Sequence, residues 1–462
     1  MALHLIDILV ISSVFLLVIG SALYTRRFTK SVADFLSANR CAGRYLLTIA
    51  SGVAGIGAIS IVGSWETFYQ SGFGAIHWGR MTIPLGLLLA LSGWVIYRYR
   101  QTRAMTMAQF LERRYSRRFR IFAGTLCYVS GVLNYGIFPA VTGRFLVYFL
   151  DLPVYEWTVP GLGLTLNLTL GVVMAVMLTV ALAITLNGGQ IAVMVSDFLQ
   201  GQLTNVCFLM LLFVLVYLVP WPVLMDTLAQ APEGESKLNP FDQGKLPDFS
   251  PWFFVMLFIL TIYNYQVWQG EQAYKASARS PHEAKMANVL AQFRSFVTFL
   301  LVPLAALSAY VLLNNAEVQP AATAAATQQL DALQAAGDEQ LAKQLTTTVA
   351  LRELLPVGML GLLTSVMLMA AVSTDSTYLH SWGSIFVQDV ASPIREARGL
   401  EPLSPERHLK WLKRSVLAVA IFAWCFSMVF PVQQYVVMYL QTTGAIFTGG
   451  AGAVLIGGLY WR

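Results

Sequence analysis

The sequence predicts an all-α integral membrane protein with about 11 transmembrane helices. Three observations carry that reading. Of 462 residues, 56% are hydrophobic and 12% charged, about half the charged share of an ordinary soluble domain, roughly 25%. Apolar runs long enough to cross a bilayer, ~20 residues each, recur along the whole chain. Basic residues collect in every second loop between those runs, the pattern that sets membrane topology. A soluble chain of this size could not hide so much apolar surface.

Span 0 covers residues 5–24. No basic stretch precedes it and no small-residue cleavage site follows, so it reads as a retained helix and not a signal peptide. Spans 1, 2 and 3 fall at 45–71, 75–98 and 119–149. Spans 4 and 5 lie near 165–187 and 189–219, span 6 at 251–272 and span 7 at 287–314. Spans 8, 9 and 10 fall near 354–385, 409–431 and 434–461. The Ala-, Gln- and Leu-rich segment at about 315–350 reads as a water-exposed helix in the loop before span 8.

Orientation follows from the loops. Arg26, Arg27, Lys30, Arg40 and Arg44 follow span 0, and RYRQTRAMTMAQFLERRYSRRFR follows span 2. Lys275, Arg279 and Lys285 follow span 6, and Arg395, Arg398, Arg407, Lys410, Lys413 and Arg414 follow span 8. The alternate loops, among them residues 220–250, are acidic or neutral. The N-terminus is therefore expected outside and Arg462 inside, in the cell inner membrane. Basic loops beside membrane helices read as topology signals and not as nucleic-acid contacts. The formal net charge of +6 comes from these clusters. Cys41, Cys127, Cys207 and Cys425 stand singly, without metal-ligand or disulfide spacing, and the five His residues are scattered. Neither pattern supports an enzyme, and no catalytic residue is expected.

Two spans carry helix-breaking signals. Span 1 reads TIASGVAGIGAISIVGSWETFYQSG, with Gly52, Gly55, Gly57 and Gly63. Span 6 reads LTIYNYQVWQGEQAYK, where Asn264 and Gly270 interrupt the apolar run. Glycine loses the most entropy in a helix, and Asn competes for backbone groups. Each glycine set alone could equally serve close helix packing. Interruptions at corresponding places in two halves point to a transporter site at mid-membrane. The halves are 45–219 and 251–462, with 1–44 an additional helix and loop.

These segments resemble the sodium:solute symporter family over nearly the whole chain. The resemblance is carried by SVADFLSANRCAGRYLLTIASG, TMAQFLERRYS, QIAVMVSDFLQGQ, SPHEAKMANVLAQFR, the STDS run with SIFVQD, and GGLYW, in that order. It implies a LeuT-type fold of two inverted five-helix repeats plus one N-terminal helix. It also implies inward sodium flow coupled to uptake of a small polar solute by alternating access. The site residues it implies begin with a sodium ion held by the carbonyls of Val53, Ile56 and Ala370 and the hydroxyls of Ser373 and Thr374. Neutral oxygens suit a hard cation that must also be released. Asp197, with Ser376 and Thr377, would serve a second cation. Tyr263, Arg294 and Gln441 match substrate-facing positions, and Asn264 and Trp268 join them from the broken segment. Arg294 could hold a carboxylate through its fork of donors.

Three features depart from the family pattern. Gly57 stands where a Ser often follows the last span 1 ligand, which would weaken the ion site. Asp375 replaces a small residue. Relatives usually continue with further helices past span 10, whereas this sequence stops at Arg462 with all ten core helices present. A membrane sensory module of a signalling protein is the competing reading. At about 100° per residue, Asp375 points away from Ser373 and toward a neighbouring helix, which makes it a structural or gating residue and not a sodium ligand.

Overall fold

The computed structural model describes residues 4–461, apart from 162, 163, 247 and 432. Arg462, expected on the inner side, lies outside the described residues. The chain is a helical bundle. Among the described residues, the strands are a short antiparallel pair, Glu156–Val159 with Leu164–Asn167. Among the described residues, seven helical stretches are long and apolar enough to cross a membrane, and Leu5–Ser21 and Pro251–Tyr263 are shorter apolar helices.

Span 0 is α1 (Leu5–Thr25). Span 1 is two helices, α2 (Arg44–Ala54) and α3 (Ala58–Arg80), separated at Gly55–Gly57. Helix α3 runs past a non-helical residue, Gly72, with φ 53° and ψ −135°. A Cβ at Gly72 would meet the Lys237 carbonyl 2.5 Å away, so neither the conformation nor the space admits another residue. The rest of span 2 is α4 (Thr82–Ser92). Span 3 is α5 (Arg117–Tyr135) and α6 (Phe138–Phe149). The step between them is patched by Ser427, whose hydroxyl donates to the Gly136 carbonyl (2.6 Å) and accepts from the Ala140 amide (3.2 Å). This interruption was not expected from the sequence; Gly136 and Pro139 are its local cause.

Spans 4 and 5 form one 51-residue element, α7 (Leu168–Leu218), broken at Gly189 with φ 48° and ψ −148°. A straight helix of that length would extend roughly 75 Å at ~1.5 Å per residue, far more than the ~30 Å hydrocarbon layer, so Gly189 separates two spans. Span 6 opens with α8 (Pro251–Tyr263), loses helical form over residues 264–271, and resumes as α9 (Gln272–Ser277). Span 7 is α10 (Pro281–Arg294) and α11 (Phe296–Asn314), hinged at Ser295. The loop before span 8 holds two helices, Pro320–Ala335 and Glu339–Leu354, where the sequence suggested one. They bury Ala326, Leu330, Leu345 and Val349 against each other.

Span 8 is α12 (Met359–Ile385), continuing through a π-helical turn, Phe386–Ala391. It is the central helix: nearly all of its residues are buried, and it packs against α7, α1 and α13 (Pro405–Val429). Span 10 is α14 (Val436–Tyr460). Helix α1 holds α12 in place through Asp7, whose Oδ1 accepts from the backbone amides of Gly358 (2.9 Å) and Gly361 (2.7 Å). A carboxylate at a helix N-terminus satisfies orphan N–H groups and the helix dipole. Asp7→Ala is expected to cost about 1–2 kcal/mol, read as a lowered unfolding midpoint in detergent; an unchanged midpoint would contradict the cap.

The basic loops come together on one face. Arg40 donates to the Arg103 carbonyl, Arg98 to Leu459, and Arg114 to Trp461. Arg44 pairs with Glu283 at 2.6 Å, while Ala42 and Ala278 form an isolated parallel bridge. The entrance to α2 is thus fastened to the exit of α9 and the start of α10. At the opposite end, Lys237 and Gln243 close over the Gly72 turn. Lys237 Nζ donates to the Gln70 carbonyl (2.5 Å), and Gln243 donates to the Ser71 carbonyl (2.6 Å). Burial pushes the Lys237 ammonium below the ordinary lysine range, with Glu235 acting in the other direction.

Candidate functional site

The break between α2 and α3 is a tight turn in which the Ile56 amide donates to the Val53 carbonyl at 2.9 Å. Helix α12 passes directly beside it. Thr374 Oγ1 donates to the Ala54 carbonyl at 3.2 Å. A Cβ at Gly57 would lie 2.5 Å from that same Thr374 Oγ1. Glycine here is what lets the threonine reach the broken turn, so a Ser at this position would collide with it. The expected weakening of the site therefore has a structural counterweight.

Val53, Ala370, Ser373 and Thr374 are each buried, and Ile56 is half-buried at the turn. Ser373 is fully buried, and its Oγ makes no well-aligned hydrogen bond, although it lies beside the Asp197 carboxyl. A buried hydroxyl needs a partner, and the Asp197 carboxyl is the one beside it. Here it stands next to a carboxylate and a broken helix, the oxygen-rich surroundings that a hard cation requires.

Asp197, on the second half of α7, is buried and accepts a hydrogen bond from the Tyr274 hydroxyl. Tyr274 and Thr377 hydroxyls lie 3.0 Å apart, and Asp197 Oδ1 has no hydrogen-bond partner. Thr377 thus joins Asp197. The Ser376 hydroxyl donates back to the Ser373 carbonyl at 3.0 Å, the local bond open to any helical Ser, which leaves its oxygen lone pairs available to a cation. Tyr274 was missed in the sequence; its one signal is a tyrosine just after the break, in QGEQAYK. Among the described residues, no group of three His, Cys, Asp or Glu could hold a metal ion.

Asp375 faces the other way, with its carboxyl beside the Tyr135 hydroxyl of α5. Asp375→Asn is expected to change stability or transport rate while sparing sodium affinity. A steep loss of sodium binding with the fold intact would move Asp375 into the ion site.

The residues assigned to the solute do not gather in one place. Trp268 Nε1 donates to the Tyr378 hydroxyl (3.0 Å), and its ring meets Trp382 at 5.3 Å. Tyr135 and Phe138 close on Tyr378 at 5.8 and 4.9 Å, so the space between spans 3, 6 and 8 is filled with aromatic rings. Tyr263 donates to the Gly449 carbonyl of α14 (2.7 Å). Asn264 ends α8 with its Oδ1 buried and unbonded, and Gln441 is exposed. Arg294 alone of these lines a cavity of about 500 Å³ between α2–α3, α4 and α10–α11, which also holds Ile56 and Glu271. Its guanidinium occupies the space that a Cβ on Gly52 would take.

A multi-pass helical bundle with paired interruptions in spans 1 and 6, and a polar cluster packed against them, is the architecture of a membrane transporter. A family model for the sodium:solute symporter family matches residues 35–462, and the chain belongs to that family. It is 24% identical to the sodium/mannose cotransporter of Bos taurus over 81% of this chain and 61% of that protein. It is 23% identical to the sodium/glucose cotransporter of Vibrio parahaemolyticus over 100% of this chain and 81% of that one. The chain thus spans 61% of the length of the bovine relative. A solved Na+-coupled sialic acid symporter, substrate-bound and outward-open, superposes with a TM-score of 0.75 over 99% of this chain and 87% of that chain at 17% identity. That likeness shows the shared fold.

Proposed function

We propose that this chain is the transport core of a sodium-coupled symporter that imports a small polar organic solute by alternating access. The observation that carries the reading is the contact between Thr374 and the broken turn of span 1, with the buried, unbonded Ser373 hydroxyl one residue away. Sodium is the coupling ion, held by Val53, Ile56, Ala370, Ser373 and Thr374. Asp197, Tyr274 and Thr377 form a second cation position, contiguous with the first through Ser373. The relatives' names, a sodium/mannose and a sodium/glucose cotransporter, support coupling to sodium.

The two repeats are 45–219 and 251–462, preceded by 1–44 and joined by the loop of 220–250. The face that gathers the Arg- and Lys-rich loops is the cytoplasmic one, in the cell inner membrane, with the N-terminus outside and the C-terminal end of span 10 inside. The partners are sodium, the solute and lipid. Sodium is expected to raise solute affinity, and the solute to raise sodium affinity by the same factor. Purified protein in nanodiscs, melted across a series of NaCl and choline chloride concentrations, tests this. Stabilisation specific to sodium is the expected result, and identical melting in both salts would remove the assignment.

A further inference from the structure

The cavity of about 500 Å³ is lined by two opposite charges, Arg294 and Glu271. Arg294 reaches in over Gly52; its Nη2 donates to Ser295 (2.9 Å) while its buried Nε bonds to nothing. Glu271, from the broken segment of span 6, reaches in over Gly55, its Oε1 2.9 Å from where a Cβ on that glycine would sit. Among the described residues, Glu271 makes no side-chain hydrogen bond, and the two groups attract each other without forming an ion pair. Gly52 lies in the last turn of α2 and Gly55 opens the break that follows it, so the two charges sit beside neighbouring parts of span 1. Lys275 approaches Glu271 from an adjoining space of about 140 Å³, which leaves the group one positive charge in excess.

We infer that the solute is a small zwitterion of the amino-acid type, its carboxylate held by Arg294 and its ammonium by Glu271. This rests on the transporter reading above and adds the chemical class of its cargo. A charge kept away from water needs an opposite charge or several hydrogen bonds. The guanidinium offers the planar fork that fits a carboxylate, and the Glu271 oxygens offer acceptors to an ammonium. A neutral sugar supplies neither charge and would leave the Arg294 fork without a carboxylate to hold. The cavity lies within the ~300–1,000 Å³ range of sites for small organic ligands. The excess positive charge makes the carboxylate the obligatory group and the ammonium the secondary one.

The test is a thermal-shift screen of the protein in nanodiscs with saturating sodium, using the proteinogenic amino acids singly, D-glucose and D-mannose. At least one zwitterion is expected to stabilise the protein and the hexoses to leave it unchanged. The best amino acid is then compared with its carboxamide and its deaminated acid: the carboxamide should lose binding, and the acid should keep part of it. Arg294→Gln should weaken the zwitterion by roughly tenfold or more, whereas Glu271→Gln should bring the deaminated acid level with the parent. Stabilisation by a hexose, or by no zwitterion while the sodium shift persists, overturns the inference and leaves the transporter reading standing. Loss of the sodium shift itself counts against that reading instead. Should Arg294→Gln fail to fold, the Glu271→Gln preference and the carboxamide comparison decide the matter.

Discussion

Replacing Ser373 and Thr374 together by alanine is expected to abolish the sodium dependence of the protein while leaving the bundle folded. Thr374 touches the Ala54 carbonyl at the end of α2 directly, and the Ser373 hydroxyl lies beside the Asp197 carboxyl. Hydrogen-bond-like contacts to a charged group contribute ~1.5–3 kcal/mol each, so losing two should lower sodium affinity by roughly a hundredfold or more. The fold should survive, because alanine fits both positions and removes the unbonded Ser373 hydroxyl along with its burial cost. Thr374→Ser keeps the oxygen and should retain most of the affinity, which separates ligation from packing. Sodium titrations of the melting temperature and of solute binding give the readout. If the double variant titrates like the wild type, the ion is held elsewhere.

The second large effect concerns stability. Asp389, in the π-helical turn after α12, is buried and held by Thr106 (2.8 Å) and by Arg120 (3.2 Å). Arg120 also pairs with Glu112 at 2.5 Å and donates to the Gln388 carbonyl at 2.6 Å. Arg120→Ala strands a buried carboxylate, a change that typically costs about 3–5 kcal/mol. Denaturation in detergent should show a correspondingly early transition. Asp389→Asn in the Arg120→Ala background removes the stranded charge and should recover a large part of the loss. If the single and double variants unfold alike, the pair is not what holds this turn.

Much of the architecture is legible from local sequence, because each span must satisfy its own backbone hydrogen bonds in lipid. The spans show as apolar runs, and the break in span 6 shows as Asn264 and Gly270. What local signals do not carry is pairing across the bundle. Ser373 and Ser376 are equivalent in composition and share a helical face, yet one hydroxyl is unbonded beside Asp197 and the other is spent on its own backbone. Trp268 lies in the broken segment as expected, but it packs among Tyr378 and Trp382 and does not line the cavity. Glu271 and Lys275 look like the edge of a basic loop, and only the return of span 7 sets Arg294 opposite Glu271.

The sequence by itself determined the membrane class, the order of the apolar runs, the basic loops and the two interrupted helices. Those follow from hydrophobicity, charge and backbone propensity, which act over a turn or a span. The tertiary structure decided which polar atoms meet. The Thr374–Ala54 contact joins residues 320 apart in sequence and the Tyr274–Asp197 contact residues 77 apart. Such pairings depend on helix packing, where a glycine at position 57 counts because of the threonine it admits. The same packing sends Asp375 toward Tyr135 and Asp197 toward the hydroxyls, a division between two carboxylates that composition could not make.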